Sequence, residues 1–172
     1  MQSRSRDEDT ARILDSLRRI VRFLRATSHA VERKLEISGA QLFVLRELGA
    51  EPGISIRRLS ERTLTDPSSV SVVVARLVER GLIAREKDPV DARRSVLTLT
   101  ARGERLLRRA PEPFQVRLVR ALQSLPRPSQ RRLSADLSLV VERAGASGGA
   151  ASMFFEGPKK RGRSGHPSKS KA

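Results

Sequence analysis

The segment Asp66-Pro67-Ser68-Ser69-Val70-Ser71-Val72-Val73-Val74-Ala75-Arg76-Leu77 holds the residues whose types and spacing could do chemistry, and that chemistry is recognition rather than catalysis. At about 100° per residue, Val70, Val73, Val74 and Leu77 share one helical face and must pack on a neighbour. The opposite face carries Ser68, Val72, Ala75 and Glu79, flanked by Ser69, Ser71 and Arg76. Small hydroxyl side chains at the start of a helix allow close approach to a groove of double-stranded DNA. They can bond phosphates or base edges, with the partial positive charge of the helix N-terminus behind them. Val72 is apolar and outward-facing, and could pack on a thymine methyl or be covered by a protein contact.

A second constellation comes next, in Asp88-Pro89-Val90-Asp91-Ala92-Arg93-Arg94-Ser95-Val96. Between two short apolar runs this reads as the loop of a β-hairpin, with Arg93 and Arg94 at or near its tip. A guanidinium there could enter a minor groove or bind phosphate, and Asp91 could orient Arg93 by a charge-assisted bond. On its own such a loop is a common solvated turn. Next to a helix suited to recognition it becomes a second point of contact.

The elements that must hold these groups are legible from capping and periodicity. Apolar residues from Ile13 to Leu35 recur at three and four, predicting a long amphipathic helix over 9–35. Ser38 with Gln41 three residues on makes a capping box, and Glu51-Pro52-Gly53 closes the helix it opens. Ser55 caps a short helix over 55–63 and is itself placed near the DNA. Asp66 with Pro67 starts the helix over 67–80, and Gly81 ends it. Strands are expected at 82–86 and 95–100, then helices at 100–110, 114–125 and 129–143. Pro111 and Pro113 must interrupt any continuous helix between the first two of these. The expected fold is therefore mainly α with some β, a winged helix-turn-helix with a two-stranded β-hairpin wing between N- and C-terminal helices.

The chain's 172 residues suit one domain, and its net charge of +16 points to a polyanionic partner, nucleic acid before an anionic membrane surface. It has no cysteine and two distant histidines, which excludes thiol chemistry and Cys-ligated metals. No cofactor, no metal site and no enzymatic activity are expected. No run approaches 18 apolar residues and the start lacks an apolar signal core, so a cytoplasmic, nucleoid-associated protein without a membrane span is expected. The domain is placed at 1–145. Residues 146–172 are rich in Gly, Ser, Lys and Pro and are expected to be a disordered basic tail. Within it, Pro158-Lys159-Lys160-Arg161-Gly162-Arg163 is similar to the Arg-Gly-Arg core of AT-hook peptides. That makes Lys160, Arg161, Gly162 and Arg163 minor-groove candidates; a merely solubilising tail is the alternative.

Residues 38–107 resemble the MarR family of bacterial regulators. The resemblance is carried by the order of the segments above and by Asp91-Ala92-Arg93 in the loop, with Leu99-Thr100-Ala101-Arg102-Gly103 after it. It implies a homodimer whose helices at 9–35 and 112–143 interlock around the DNA-binding lobe at 38–107. It also implies DNA reading by residues 67–76, insertion of Arg93 into a minor groove, and repression at an inverted-repeat operator. Such regulators are commonly released by a small, often phenolic, effector in a cleft between the dimer helices and the winged lobe. Phe23, His29 and Phe43 could line that cleft. A nonspecific nucleoid-associated DNA-binding protein is the alternative reading.

Overall fold

The computed structural model describes residues 2–88, 95–146 and 153. In chain order it contains α1 (Gln2–Leu35), α2 (Gly39–Ala50), α3 (Ile56–Thr63), α4 (Pro67–Glu79), β1 (Ile83–Lys87), β2 (Ser95–Leu99), α5 (Ala101–Arg109), α6 (Phe114–Gln123) and α7 (Arg127–Arg143). The expected elements are all present. The first helix starts at Gln2 rather than residue 9, because nothing in residues 4–9 breaks a helix even though no apolar stripe is there to reveal one.

Capping sets the boundaries. Gln41 N–H donates to Ser38 Oγ at 3.1 Å and Ser38 N–H to Gln41 Oε1 at 2.9 Å, the reciprocal pair that the spacing predicts. Ser55 Oγ accepts from Arg58 N–H, and Asp66 accepts from Ser68 N–H at 2.8 Å, with Pro67 in the first turn of α4. The three helices α2, α3 and α4 pack together around Leu42, Leu45, Leu48, Leu59, Val70, Val73, Val74 and Leu77, all buried. Each such side chain contributes roughly 1.5–3 kcal/mol on leaving water.

The antiparallel pair β1–β2 runs in register from Ile83 opposite Leu99 to Lys87 opposite Ser95. Its inner edge is extended by Ile54, whose carbonyl accepts from Leu97 N–H at 2.9 Å while Gly53 N–H donates to Leu97 O. The sheet is thus pinned to the turn between α2 and α3, a pairing that the hairpin pattern alone does not announce.

At the other end of the hairpin, Gly81 (φ +66) turns the chain out of α4 and Thr100 opens α5. Thr100 N–H donates to Leu82 O at 3.1 Å, its hydroxyl donates to Gly81 O at 2.7 Å, and its Oγ accepts from Gly103 N–H. A Cβ on Gly103 would lie 2.1 Å from the Leu82 carbonyl oxygen, so α5 passes the residue before β1 at a distance only glycine allows.

The expected break occurs. Ala110 is extended (ψ 136), α6 starts after Pro113, and Arg46 of α2 donates Nη2–H to Ala110 O at 3.3 Å. Past α7 the expected tail lies outside the described residues, apart from Ala146 and Met153. Met153 departs from a disordered tail, being 4% exposed within the core cluster.

Replacing Gly103 by Ala tests the α5 crossing. Helix propensity favours Ala by about 1 kcal/mol, but the backbone overlap outweighs it. We expect Gly103→Ala to lower unfolding stability by about 1–3 kcal/mol in urea melts. An unchanged or raised midpoint would refute the close approach.

Candidate nucleic-acid interface

Helix α4 presents one face to the core and the other to solvent. Val70, Val73 and Leu77 are wholly buried, while Ser68, Val72 and Ala75 are exposed and Ser69, Ser71 and Arg76 half-buried. Thirteen residues give a rod about 20 Å long. The outer face of its first two turns carries nothing larger than valine, so the helix backbone itself can approach a groove closely. Val72 is 48% exposed, which leaves its methyls free for an apolar contact. Pro67 is exposed at the helix start, and Ser55 lies at the start of α3, half-buried, its oxygen engaged in capping Arg58 N–H. Its hydroxyl hydrogen is not used in that cap and remains available to donate.

The expected wing-tip residues Asp91, Arg93 and Arg94 lie outside the described residues, as do Lys160, Arg161, Gly162 and Arg163. The strands that lead to the wing are described. They add two cations that the motifs of the loop do not single out, Arg85 and Lys87, exposed on alternate positions of β1. Both cations lie on the same face of β1 as the buried Ile83, so strand alternation gives no signal for them; their exposure follows from the strand leaving the core after Ile83. Arg57, at the start of α3, is a third; its side chain is 89% exposed and only loosely paired with Glu61 at 3.6 Å.

Other arginines are spent on structure. Arg62 of α3 bridges Glu47 at 2.9 Å and Glu51 at 2.7 Å, with its side chain 26% exposed, and Arg58 reaches Glu51 and Glu61. This network ties α3 to α2. The Arg58 guanidinium, and then that of Arg62, holds the Glu51 carboxyl below its ordinary range. Arg80 donates to the Glu36 carbonyl at the end of α1, and Arg102 donates to Arg80 O at 3.1 Å, so neither reaches outward freely.

The residues expected to line an effector cleft do not converge. Phe43 is buried and lines a cavity of about 330 Å³ between α2, α3 and α6, along with Glu47, Arg62, Val116 and Arg120. Phe23, 56% exposed, stacks on Phe114 with ring centroids 5.6 Å apart and lines none of the described cavities. His29 is exposed beside Glu32 at 3.9 Å. The space between α1, α2 and α6 is nearly filled, with about 10 Å³ left among Leu24, Ser28, Val31, Pro113 and Gln115. The physical reason is register: Phe23 and His29 face away from the side of α1, bearing Leu24, Ser28 and Val31, that meets α2.

Comparison with known proteins gives a consistent picture. Residues 35–94 match the model of the MarR family. The HTH-type transcriptional repressor Rv2887 of Mycobacterium tuberculosis is 30% identical over 115 residues, which is 67% of this chain and 83% of that protein. The transcriptional regulator HosA of Escherichia coli O111:H- is 36% identical over 72 residues, 42% of this chain; the match spans about half of HosA, 53%. The transcriptional regulator BldR from Sulfolobus solfataricus superposes with a TM-score of 0.52 at 20% identity, covering 78% of this chain and 96% of that one, a likeness of fold.

Acid should loosen the start of α4. The Ser68 hydroxyl and then the Ser68 N–H hold the Asp66 carboxyl below its ordinary 3.8. A depressed carboxylate stabilises the fold above its unfolded value and ceases to do so as pH falls through its folded value. We expect stability to fall below about pH 4 and Asp66→Asn to remove part of that fall, read from urea midpoints between about pH 5 and pH 2.5. Parallel acid limbs for the two proteins would refute the cap's contribution.

Proposed function

Since the chain belongs to the MarR family, we propose that it is a sequence-specific DNA-binding transcriptional regulator, a repressor that binds an inverted-repeat operator as a homodimer. The observation that carries this reading is α4: an apolar face locked into the core and an outer face of serines, Val72 and Ala75 open to a major groove. Ser55, Pro67, Ser68, Ser69, Ser71, Val72 and Arg76 then form the major-groove contact. Arg93, held by Asp91, enters the flanking minor groove, with Arg94 on phosphate. Residues 160–163 of the tail supply a weaker minor-groove grip.

The homodimer is supported by surface left uncovered. Helix α7 buries no residue, yet Leu133, Leu137, Leu139, Val140 and Val141 are each at least 36% exposed. Ile13, Leu14, Leu17 and Val21 expose a matching stripe on α1. Two such helices are unstable in water unless they cover each other, and a second copy offers the complementary stripes. Effector release through the cavity beside Phe43 would act on α3, because Arg62 on its wall holds α3 to α2.

A nonspecific nucleoid protein is favoured by the net charge of +16. The two readings separate by competition. A regulator keeps its operator under a roughly 10³-fold excess of bulk duplex, a ratio typical of specific recognition. We expect that retention in a footprint of the native chain, and a loss of about tenfold or more in affinity for Arg93→Ala with its melting curve unchanged. Operator binding abolished by bulk DNA would leave the nonspecific reading standing.

The dimer has its own check. Leu137→Glu with Val140→Glu places two charges on the α7 stripe, and sedimentation should show a monomer. A variant that sediments as the native chain does would place the interface elsewhere.

A further inference from the structure

Val72 stands 48% exposed in the second turn of α4, about 7.5 Å along the axis from the helix start. A β-branched side chain gains nothing from an exposed helical position, where it gives up rotamer freedom that alanine does not have to lose. Around it the outer face offers little else to read bases with. The Ser68 hydroxyl donates to Asp66, which leaves its oxygen outward as an acceptor only. Ser69 and Ser71 are half-buried, Ala75 carries a single methyl, and α4 contains no Asn, Gln or Lys. Val78, the other exposed valine of α4, lies in the last turn and about 120° round the helix from Val72.

We infer that Val72 is a specificity-determining residue that selects thymine, through its C5-methyl group, at one position of each half-site. The inference rests on the major-groove reading of α4 above and adds to it what this side chain selects. In the major groove the thymine methyl is the one apolar group among the features that distinguish the four base pairs. Two valine methyls set against it take apolar surface out of water on both sides. The same methyls set against adenine or guanine would cover N7 and the group on C6 without returning a hydrogen bond, at a cost of roughly fivefold or more in affinity. Cytosine is rejected twice, since it lacks the methyl and its N4 amino group would be left unpaired. A serine in this place would donate to or accept from any base, so the apolar side chain is what makes a permissive surface selective.

A methyl buried between apolar groups contributes about as much as one methylene, roughly a fourfold gain in affinity for each half-site. In a two-fold dimer both half-sites carry the contact, and the two together give roughly fifteenfold. Uracil is the sharp probe, because it keeps every hydrogen-bonding group of thymine and lacks only the methyl.

The native chain is first used to select from a duplex pool of about 30 random base pairs, enough for two half-sites one or two helical turns apart. The expected product is an inverted repeat with thymine fixed at the same place in each half-site. In that duplex each symmetric pair of thymines is then replaced in turn by uracil. One pair should cost the native chain roughly fifteenfold in affinity. Val72→Ala, whose melting curve should match the native one because the side chain is exposed, should bind the thymine duplex and that uracil duplex alike. Selection with Val72→Ala should leave that position free and keep the rest of the repeat. Native affinity for every uracil duplex would overturn the methyl contact, and a Val72→Ala chain that still loses affinity with the methyl would overturn the role of Val72. Failure of the regulator reading looks different: the native chain would enrich no repeat from the pool, and the inference would fall with it.

Discussion

The carbonyl of Leu82 is where α4, the β1–β2 hairpin and α5 are fixed relative to one another. It accepts Thr100 N–H from the far end of the hairpin and lies against Gly103, the one residue type that lets α5 cross at this distance. The neighbouring Gly81 carbonyl accepts the Thr100 hydroxyl, whose oxygen in turn caps Gly103 N–H. Two hydrogen bonds and one steric demand therefore join the turn after α4 to the end of β2 and the start of α5. A wing whose base moved by an ångström or two would carry its tip several times farther along a DNA backbone. The Leu-Thr-x-x-Gly pattern that stands out in the sequence is thus a joint: threonine for its donor and acceptor, glycine for its missing Cβ.

Charge is divided between holding the lobe together and leaving cations for a partner. Exposed pairs such as Arg12–Asp9 or Arg19–Asp15 contribute about 0–1 kcal/mol and are screened by salt. The Arg62–Glu47–Glu51 set is different, because partial burial and two acceptors on one guanidinium make removal of either partner costly. It uses two carboxylates to neutralise arginine on the α2–α3 side. On the β1 side Arg85 and Lys87 have no such partner among the described residues. The asymmetry comes from where β1 runs: Ile83 is its one buried residue, and Arg85 and Lys87, on the same face, extend beyond the core.

How much of this is legible in the sequence depends on the range of the interaction. Signals set within four residues are readable: Ser38 with Gln41, Asp66 with Pro67, and the valine face of α4 each arise from local bonding or helical phase. The break at Pro111 and Pro113 arises from a missing N–H and fixed φ. The unreadable part depends on where separate elements meet. The pairing of Ile54 with Leu97, the burial of Met153 and the scattering of Phe23, His29 and Phe43 are set by packing between distant segments. Phe23 shows the limit well. Its aromatic character suggests a cleft, but its helical phase puts it one step outside the α1–α2 contact, where stacking on Phe114 is what remains.

The elbow between α5 and α6 bears on the spacing of the two DNA-reading helices in a dimer. Helix α5 belongs to the lobe through Thr100, Gly103 and the contacts of its face with α2, whereas α6 packs on both α1 and α2 and leads to α7. Two prolines fix the backbone between them, so α6 and α7 leave the lobe at a rigid bend rather than as a continuous rod. Arg46 reaches that bend from α2, donating to Ala110 O while its buried Nε finds no partner among the described residues. In a two-fold dimer the angle at that corner determines how far apart two copies of α4 lie. In such a dimer the half-site spacing would therefore depend on residues 110–113 and Arg46, away from the outer face of α4.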